Sequence, residues 1–411
     1  MNRLGFLATM GSVALAPAGS PRGWTRGGLE IHHISTGRGN ATLCVFPDGS
    51  TLLIDAGAVG GDPALLAPLR PDGSRRPGEW IGRYVQRRLA ETGGDAIDAA
   101  LLTHFHPDHM GDATGAPPSR FGAYRLSGVT DVAELVPIRR MVDRGYPSYD
   151  YPQPRSDATL DNYRAFVAAA PRGMKTERFA VGSRTQLRRP GSEAAYPGSV
   201  VQNVAANGLV WNGRDGSVGA HFPPVARTPR GDLPDENMCS CAVRLQCGPF
   251  AYFAGGDLTW TTADGELPWR DIETPVARAA GHVDVAAVDH HGYYDGGGAG
   301  FVRALRPRVF VLQAWHATHP ALSTLDRLYS TRLLSGERDV FATAIVGASA
   351  AVNERLIGRL RASAGHVVVR VPPEGKSYVV DVVDDRDESD RVLATFGPYP
   401  STSGSAVISE R

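Results

Sequence analysis

The segment LLTHFHPDHMGD, residues 101–112, restricts the fold and chemistry of this chain more than any other stretch. It sets imidazoles two residues apart directly behind an apolar run and adds two aspartates. A packed core would exclude these groups, because burying them without a partner is costly. The polar residues are His104, His106, Asp108, His109 and Asp112. We interpret the segment as a metal-binding loop.

The surrounding pattern predicts an α/β fold. Residues 29–57 contain three apolar stretches separated by Gly- and Pro-containing turns, which predicts three short strands. Residues 79–92 have apolar side chains at helical spacing and end before Gly93, a helix stop signal. Residues 97–104 predict a buried strand with the histidines at its carboxyl end, where α/β folds place their functional groups.

Two later predicted strands end in residues of the same kind. The stretch PFAYFAGGDL places Asp257 at the end of an apolar strand, and VDVAAVDHHG does the same with His290 and His291. The stretches CSCAVRLQCG and PRVFVLQAW predict further buried strands. Three separate segments therefore bring potential metal ligands to strand ends.

The charge balance disfavours one class of partner. Lys+Arg and Asp+Glu both number 43, so the formal net charge is zero and no bulk basic field attracts nucleic acid, although a local patch is compatible with it. We expect a small-molecule substrate. For the four cysteines, Cys44, Cys239, Cys241 and Cys247, we predict buried free thiols, because Cys-x-Cys is too tight for an unstrained bridge.

The spacing of the ligand candidates resembles that of a known superfamily. His104 and His106 point the same way from an extended segment and suit one ion, whereas Asp108 and His109 turn back towards a second. The order His-x-His-x-Asp-His, a late Asp and a later His resembles the metallo-β-lactamase superfamily. In that superfamily these residues line one end of an αββα sandwich, which is the fold the resemblance implies.

Four stretches of the sequence resemble one particular group within the superfamily. FPDGSTLLIDAG, THFHPDHMGD, ENMCSCAVRLQCGPFAYFAGGDL and DVAAVDHHG resemble the hydrolase domain of ComEC-type competence proteins, with phosphorylcholine-esterase-like enzymes as further relatives. The similarity spans residues 29–112 and 179–383. It does not explain residues 113–178, which are rich in Tyr, Pro and Arg and which we predict to be a lid-like insertion over the site.

The resemblance implies a binuclear site with two Zn²⁺, for which Mn²⁺ or Fe²⁺ are alternatives. One ion would take His104, His106 and a bridging Asp257, together with a bridging hydroxide. The other would take the same bridging groups with Asp108, His109 and either His290 or His291. We assign His291 as the ligand and let His290 face the substrate as a catalytic residue.

Other residues are assigned to supporting positions. Asp55 is predicted to hydrogen-bond the ligands, and Asn237 stands where many superfamily members have an additional histidine ligand. His221 is interpreted as a loop histidine, and His32 and His33 as structural. His316 and His319 follow a strand end, and either could reach the pocket. We select His316 for substrate binding, together with Arg139 and Arg140.

These assignments predict metal-assisted hydrolysis in which Asp108 orients the nucleophile and accepts its proton. A phosphoester or phosphodiester is the expected substrate. A carboxylic ester, lactone or β-lactam is the alternative, and a non-enzymatic zinc-binding or interaction module is a second alternative.

The ends of the chain differ in composition from the hydrolase-like part. Arg3 precedes the apolar run LGFLATMGSVALA, which predicts a signal peptide and leader at residues 1–23 and an exported, periplasmic or extracellular protein. The alternative is a cytoplasmic protein with an apolar N-terminus. Residues 24–383 are predicted to form the hydrolase domain, with no membrane span, and residues 384–411 a polar tail.

Overall fold

The computed structural model describes residues 22–403. The predicted leader at residues 1–23 therefore lies, apart from its last two residues, outside the described residues. Within them, no helix combines the length and the apolar character that a bilayer span requires.

Two β-sheets form the centre of the described chain. The first has nine strands in the spatial order β17-β16-β15-β1-β2-β3-β4-β5-β6. Its strands are β1 (Leu29–His33), β2 (Thr42–Val45), β3 (Thr51–Ile54), β4 (Ala99–Leu102), β5 (Arg140–Asp143), β6 (Lys175–Arg178), β15 (His366–Val371), β16 (Ser377–Val383) and β17 (Val392–Pro400).

The second sheet, within residues 22–403, has eight strands in the order β14-β13-β12-β11-β10-β7-β8-β9. Its strands are β7 (Ser199–Ala206), β8 (Leu209–Trp211), β9 (Val218–Ala220), β10 (Ala242–Cys247), β11 (Phe250–Ala254), β12 (Val285–Ala287), β13 (Val309–Leu312) and β14 (Asp339–Ala342). Strands β11 to β14 run parallel, and β7 to β11 are antiparallel.

Helices cover the outer faces of both sheets. The helices of residues 22–403, of which α2 lies in the loop after β4, are α1 (Pro77–Thr92), α2 (Pro107–Met110), α3 (Val129–Leu135), α4 (Ala158–Ala169), α5 (Ser192–Ala195), α6 (Glu273–Ala280), α7 (Ala299–Leu305), α8 (Leu322–Tyr329), α9 (Gly347–Val352) and α10 (Glu354–Ile357). Short 3₁₀ turns occur at Pro171–Gly173, Val225–Arg227, Arg230–Asp232, Asn237–Cys239, Pro268–Arg270 and Asp289–Gly292.

The period-two alternation of the strands produces this layering. In β2, Cys44 faces a core shared by the two sheets, whereas Leu43 and Val45 face the helices α1, α3 and α4. A third core lies between the second sheet and the helices α6, α7 and α8. The architecture is the predicted αββα sandwich.

Residues 113–178 differ from the predicted lid. They contain α3 and α4, and their strands β5 and β6 extend the first sheet in parallel beside β4. Val132 and Phe166 are completely buried in the core beneath these helices. The prediction of an insertion over the site is therefore wrong. The sequence did not reveal the continued βα pattern, because each of these strands has only four residues and lies between Pro- and Tyr-rich loops.

The predicted polar tail is also wrong over its described part. Strand β17 pairs with β16, and Phe396 and Tyr399 pack in the core between the sheets. The charged run before β17 contacts α1, where Glu388 accepts hydrogen bonds from Arg83 and Arg87. Ion pairs with α1, rather than apolar burial, hold the charged run in place. The composition of this run therefore resembles that of a solvated tail.

Candidate metal centre

The carboxyl ends of β4, β11 and β12 meet at one edge of the sandwich. The loop after β4 passes close to neighbouring backbone, and Asn40 N donates a hydrogen bond of 2.7 Å to Asp108 O. A Cβ on Gly57 would lie 1.8 Å from that same oxygen, so only glycine allows the approach. After β12, His290 and His291 have φ values of 50° and 54°, an uncommon conformation that clusters at functional sites.

The first ligand cluster contains His104, His106 and Asp257. The Nε2 atom of His104 lies 3.1 Å from Nδ1 of His106 and 3.6 Å from Oδ2 of Asp257. Burial, reinforced by the neighbouring His109, holds the pKa of His104 well below its usual range. The ring is therefore neutral, which is the form that binds a metal.

The second cluster contains Asp108, His109, Asp257 and His291. His109 Nε2 lies 3.3 Å from His291 Nε2 and 3.1 Å from Asp257 Oδ1. Asp108 Oδ2 lies 2.9 Å from His291 Nε2 and 3.8 Å from His109 Nε2. Asp257 thus belongs to both clusters. Of the two adjacent histidines, His291 is the one whose side chain lies within the cluster.

The residues fit a pair of divalent ions. A tetrahedral ion with bonds of about 2.0–2.1 Å sets its ligand atoms roughly 3.4 Å apart, and the distances above lie on either side of that value. Asp257 Oδ1 is buried and, within residues 22–403, has no hydrogen-bond partner of good geometry. Imidazole and carboxylate donors together suit first-row divalent ions such as zinc.

The electrostatics of the second cluster favour a cation. Burial opposes protonation of His109, but the carboxylates of Asp257, Asp55 and Asp108 outweigh burial and hold the pKa of His109 well above its usual range. The pKa of His291 is raised to about 9 by Asp257 and Asp108, again against burial. The carboxylates therefore demand positive charge at the position where a metal would lie.

Asp55 and Thr103 orient the ligand rings. Asp55 Oδ2 accepts a hydrogen bond from His109 Nδ1 at 2.8 Å and another from Thr103 Oγ1 at 2.9 Å. Thr103 Oγ1 also lies 3.1 Å from His104 Nδ1. This network leaves the Nε2 atoms of His104 and His109 available to a metal. A hydrogen bond from the other ring nitrogen to a neighbouring oxygen atom fixes the tautomer of a ligand histidine in this way.

His290 lies beside the clusters, and its side chain is 16% exposed. Its Nδ1 lies 2.6 Å from Asp295 Oδ1, and its Nε2 lies 3.3 Å from Asn237 Nδ2. The Asn237 Oδ1 atom is buried and, in the described chain, unpartnered, so a half-turn of the amide would let it accept from His290 Nε2. Asp295 and Asn237 together can therefore form hydrogen bonds with both the neutral and the protonated ring of His290.

Two further residues support the site. Glu236 was not predicted from the sequence, and His319 was considered but not selected. Glu236 Oε1 accepts a hydrogen bond from Phe105 N at 2.8 Å, between the two ligands of the first cluster, and Arg144 Nε donates to the same oxygen. A lone glutamate before Asn237 gave no motif to find. His319, weighed beside His316, is buried and stacks on His291 with ring centroids 4.9 Å apart.

Several predicted positions lie elsewhere. Arg139 and Arg140 are at the amino end of β5, the end of the sheet opposite to the histidines, where they pair with Asp95 and Glu177. Their assignment to substrate binding is wrong, because sequence proximity to a predicted lid does not say which end of a strand a residue occupies.

The remaining histidines and the cysteines have local partners. His316 Nδ1 lies 2.9 Å from Thr318 Oγ1, and its ring lies 5.7 Å from that of His319; it belongs to neither ligand cluster. His221 joins neither ligand cluster. His32 and His33 are buried and hydrogen-bonded within the sheet. All four cysteines are buried and free.

Part of the chain is similar to a known family, and several solved structures have a low-identity likeness to it. Residues 34–146 match the family model of the metallo-beta-lactamase superfamily. A putative metal-dependent hydrolase from Parabacteroides distasonis is 11% identical, with 76% of this chain and 92% of that chain covered and a TM-score of 0.36. A diphosphatase from the PhnP family is 10% identical, with 84% and 97% covered and a TM-score of 0.35.

A metallo-beta-lactamase from Hirschia baltica is 13% identical, with 64% of this chain and 84% of that chain covered and a TM-score of 0.26. No curated protein matches the chain. The family-model match includes Asp55 and the histidine loop after β4, and the described fold has the two sheets expected of the family. Residues 34–146 are thus similar in sequence to the metallo-β-lactamase superfamily, and the two sheets of the described chain are consistent with the fold of that superfamily.

Proposed function

We propose that this protein is a binuclear metal-dependent hydrolase of phosphoesters or phosphodiesters, with zinc as its metal. The observation that carries the proposal is the position of Asp257 between two complete ligand clusters. When bound there, two divalent ions supply Lewis acidity and lower the pKa of an attacking water. The residues that would hold them are His104, His106, Asp108, His109, Asp257 and His291.

Asp108 is the residue best placed to act on the attacking water. Its side chain is 15% exposed, whereas those of His109, Asp257 and His291 are exposed by 2% or less. Its carboxylate is therefore the member of the second cluster most exposed to solvent. We assign it the orientation of the water and the acceptance of its proton.

His290 is assigned proton donation to the oxyanion or the leaving group. Asp295 accepts a hydrogen bond from its Nδ1. Its Nε2–H can therefore donate to a substrate oxygen in place of Asn237. The carboxylates of Asp257 and Asp295 raise the pKa of His290 despite burial. A histidine that keeps its proton near neutral pH is suited to this task.

The choice of substrate rests on charge. A phosphoryl group spreads negative charge over several oxygens, and a pair of divalent ions is matched to it. The alternative, a carboxylic ester, lactone or β-lactam, is favoured by the aromatic rings around the site. Trp315 lies 5.8 Å from the ring of His291 and Tyr293 lies 5.3 Å from that of His290, between ring centroids.

We further propose that the chain is related to the ComEC-type group and that it is exported. The first rests on the four motif stretches, and the second on the apolar run after Arg3. Protein isolated from its source cell should begin near Pro17 to Pro21. Sequencing that returned Met1 would contradict export without affecting the proposed chemistry.

The substrate proposal is tested with zinc-loaded protein and three substrates: bis-p-nitrophenyl phosphate, p-nitrophenyl acetate and nitrocefin. We expect the phosphodiester to be hydrolysed fastest, and a chelator or His106→Ala to abolish the rate. Preference for the acetate or for nitrocefin would favour the alternative. Turnover that survives both chelation and the variant would overturn the metal-dependent mechanism.

A further inference from the structure

A second concave region gathers basic side chains on the outer face of the second sheet. It is a cleft of about 730 Å³ between β7, β10, the β8–β9 hairpin and the end of α6. We call it the arginine cleft. Its basic residues are Arg184, Arg214, Arg244, Arg278 and His282.

The arginine cleft lies at the end of the sheet opposite to the metal centre. Gln246 lines it, close to the turn at Gly248 where β10 passes into β11, and Asp257 follows the far end of β11. His282 precedes β12, and the ligand His291 follows the other end of that strand. A ligand in this cleft would therefore not touch the catalytic residues.

Arg244 is the most unusual member of the cleft. Its neighbours Val243 and Leu245 face the core between the sheets, so Arg244 projects from the outer face of β10. Its Nη1 donates to Gln246 Oε1 at 2.8 Å. No carboxylate of residues 22–403 forms an ion pair with it, and burial lowers its pKa despite Asp284. A shielded guanidinium without an anion is costly.

The other arginines of the cleft add uncompensated charge. Arg184, Arg214 and Arg278 are exposed, and in the described chain none of them has an ion-pair partner. The carboxylate in the lining is Asp215, whose Oδ1 accepts from Asn212 Nδ2 and Ser217 N. Four guanidinium groups thus surround a space in which one carboxylate is already engaged.

We propose that the arginine cleft binds a phosphate-bearing small molecule. Guanidinium groups match the oxygens of a phosphate through paired N–H donors, and their charge suits a dianion better than a monoanion. Gln246 lines the same face, and its Nε2, which donates one hydrogen bond to Gly248 O, has a second N–H that can serve as a neutral donor. The cleft is larger than one phosphate, which leaves space for an organic part. The proposal is independent of the hydrolase activity.

The test is titration of the metal-loaded full chain with inorganic phosphate at low ionic strength, followed by calorimetry, with acetate as the monoanion control. We expect saturable phosphate binding that Arg244→Gln weakens by roughly ten- to hundredfold, since a charge-assisted hydrogen bond is lost. Arg278→Gln, at an exposed position, should weaken it less. Equal affinity in wild type and in both variants would overturn the proposal.

A matched control and a metal-site control separate the alternatives. Arg332 is exposed before β14, at the other edge of the same sheet, so Arg332→Gln should leave phosphate binding unchanged. Asp257→Ala should also preserve it. Binding lost in Asp257→Ala but kept in Arg244→Gln would place the phosphate at the metal centre and overturn the assignment to the cleft.

The chain itself offers a competing anion, a carboxylate. Ser403 lines the cleft, and the residues that follow include Glu410, which is outside the described residues. A chain that ends at Ser403 distinguishes the two. Phosphate affinity equal to that of the full chain supports a free ligand. Binding by the shortened chain alone would mean that the protein's own carboxylate fills the cleft, and would overturn a free phosphate ligand.

Discussion

The metal centre and the contact between α1 and residues 384–391 are both dense in charge, but they neutralise it differently. At the α1 contact, Arg87 lies between Glu388 and Asp390, and Arg88 pairs with Asp390, so each charge meets its opposite within the protein. At the metal centre, no arginine or lysine of residues 22–403 pairs with Asp108 or Asp257.

This comparison shows what distinguishes a site from a structural cluster. Charge density alone does not, because both regions have it. The metal centre differs in that its carboxylates and imidazoles converge without an arginine or lysine from the described part of the chain. Substitutions in the two regions should therefore affect different observables: metal content and turnover in one, and only stability in the other.

The largest effect is expected for Asp257→Ala. Because this carboxylate belongs to both clusters, its loss should lower the metal content from about two ions per chain towards zero and abolish turnover. Elemental analysis of protein reconstituted with zinc measures the content, and circular dichroism checks the fold. Two ions retained by the folded variant would mean that the clusters do not share this ligand.

Asp108→Asn should separate chemistry from binding. His109, Asp257 and His291 remain in the second cluster, so at least one ion should stay bound while kcat falls at least roughly 10²-fold through loss of the proton acceptor. His221→Ala, outside both clusters, is the control and should leave kcat unchanged. Near-normal turnover in Asp108→Asn, or metal loss in His221→Ala, would show that these roles are misassigned.

Asp55→Asn should have a smaller effect on the same centre. The amide cannot replace both acceptor oxygens that hold Thr103 and His109, so zinc affinity should fall by roughly 10- to 100-fold. A chelator competition measures this affinity. Asp112→Asn is the matched control, because Asp112 accepts a hydrogen bond only from Thr114 N among the described residues. An equal loss of zinc affinity in Asp55→Asn and Asp112→Asn would contradict the orienting role of Asp55.

Glu388→Gln, at the α1 contact, should have the smallest effect. Its ion pairs are partly exposed, so unfolding free energy should fall by less than about 1 kcal/mol, with unchanged zinc content. The hydrogen bond from Arg83, together with the charge of Arg87, lowers the pKa of Glu388.

A lowered pKa in the folded state sets the pH range of this contribution. It is present above the unfolded pKa of about 4.3 and is lost as the pH falls through the folded value. Thermal unfolding of wild type and Glu388→Gln at several pH values measures it. The difference in Tm should be present at pH 7 and shrink below about pH 4. A difference that grows in acid would contradict the assigned ion pairs.

The sequence predicted those parts of the fold and site that short-range pattern specifies. Alternation in β2 separates Cys44 from Leu43, so the strand and its two faces could be identified. His104 and His106 are fixed relative to one another by their spacing. Asp257 and His291 were found because each follows an apolar run, and parallel strands bring such ends together.

The parts that the sequence did not predict depend on contacts between distant segments. Nothing near Glu236 indicates that it binds Arg144, 92 residues away in sequence, and the backbone of Phe105. Strand β17 is held partly through the charged run before it, whose arginine partners lie on α1 some 300 residues earlier. Local composition reports neither kind of pairing, so one residue was missed and one strand was interpreted as a tail.

The pairing of β1 has a consequence for how the chain reaches its fold. Leu29 is opposite Val371, and His33 is opposite Val367, so the first strand cannot complete its hydrogen bonds until residues near the end of the chain are available. Such long loop closures slow folding, and during synthesis they postpone this pairing until residue Val371 has left the ribosome. The edge of β1 that β15 covers is exposed until then. The chain therefore has a long interval in which a chaperone can meet it unfolded.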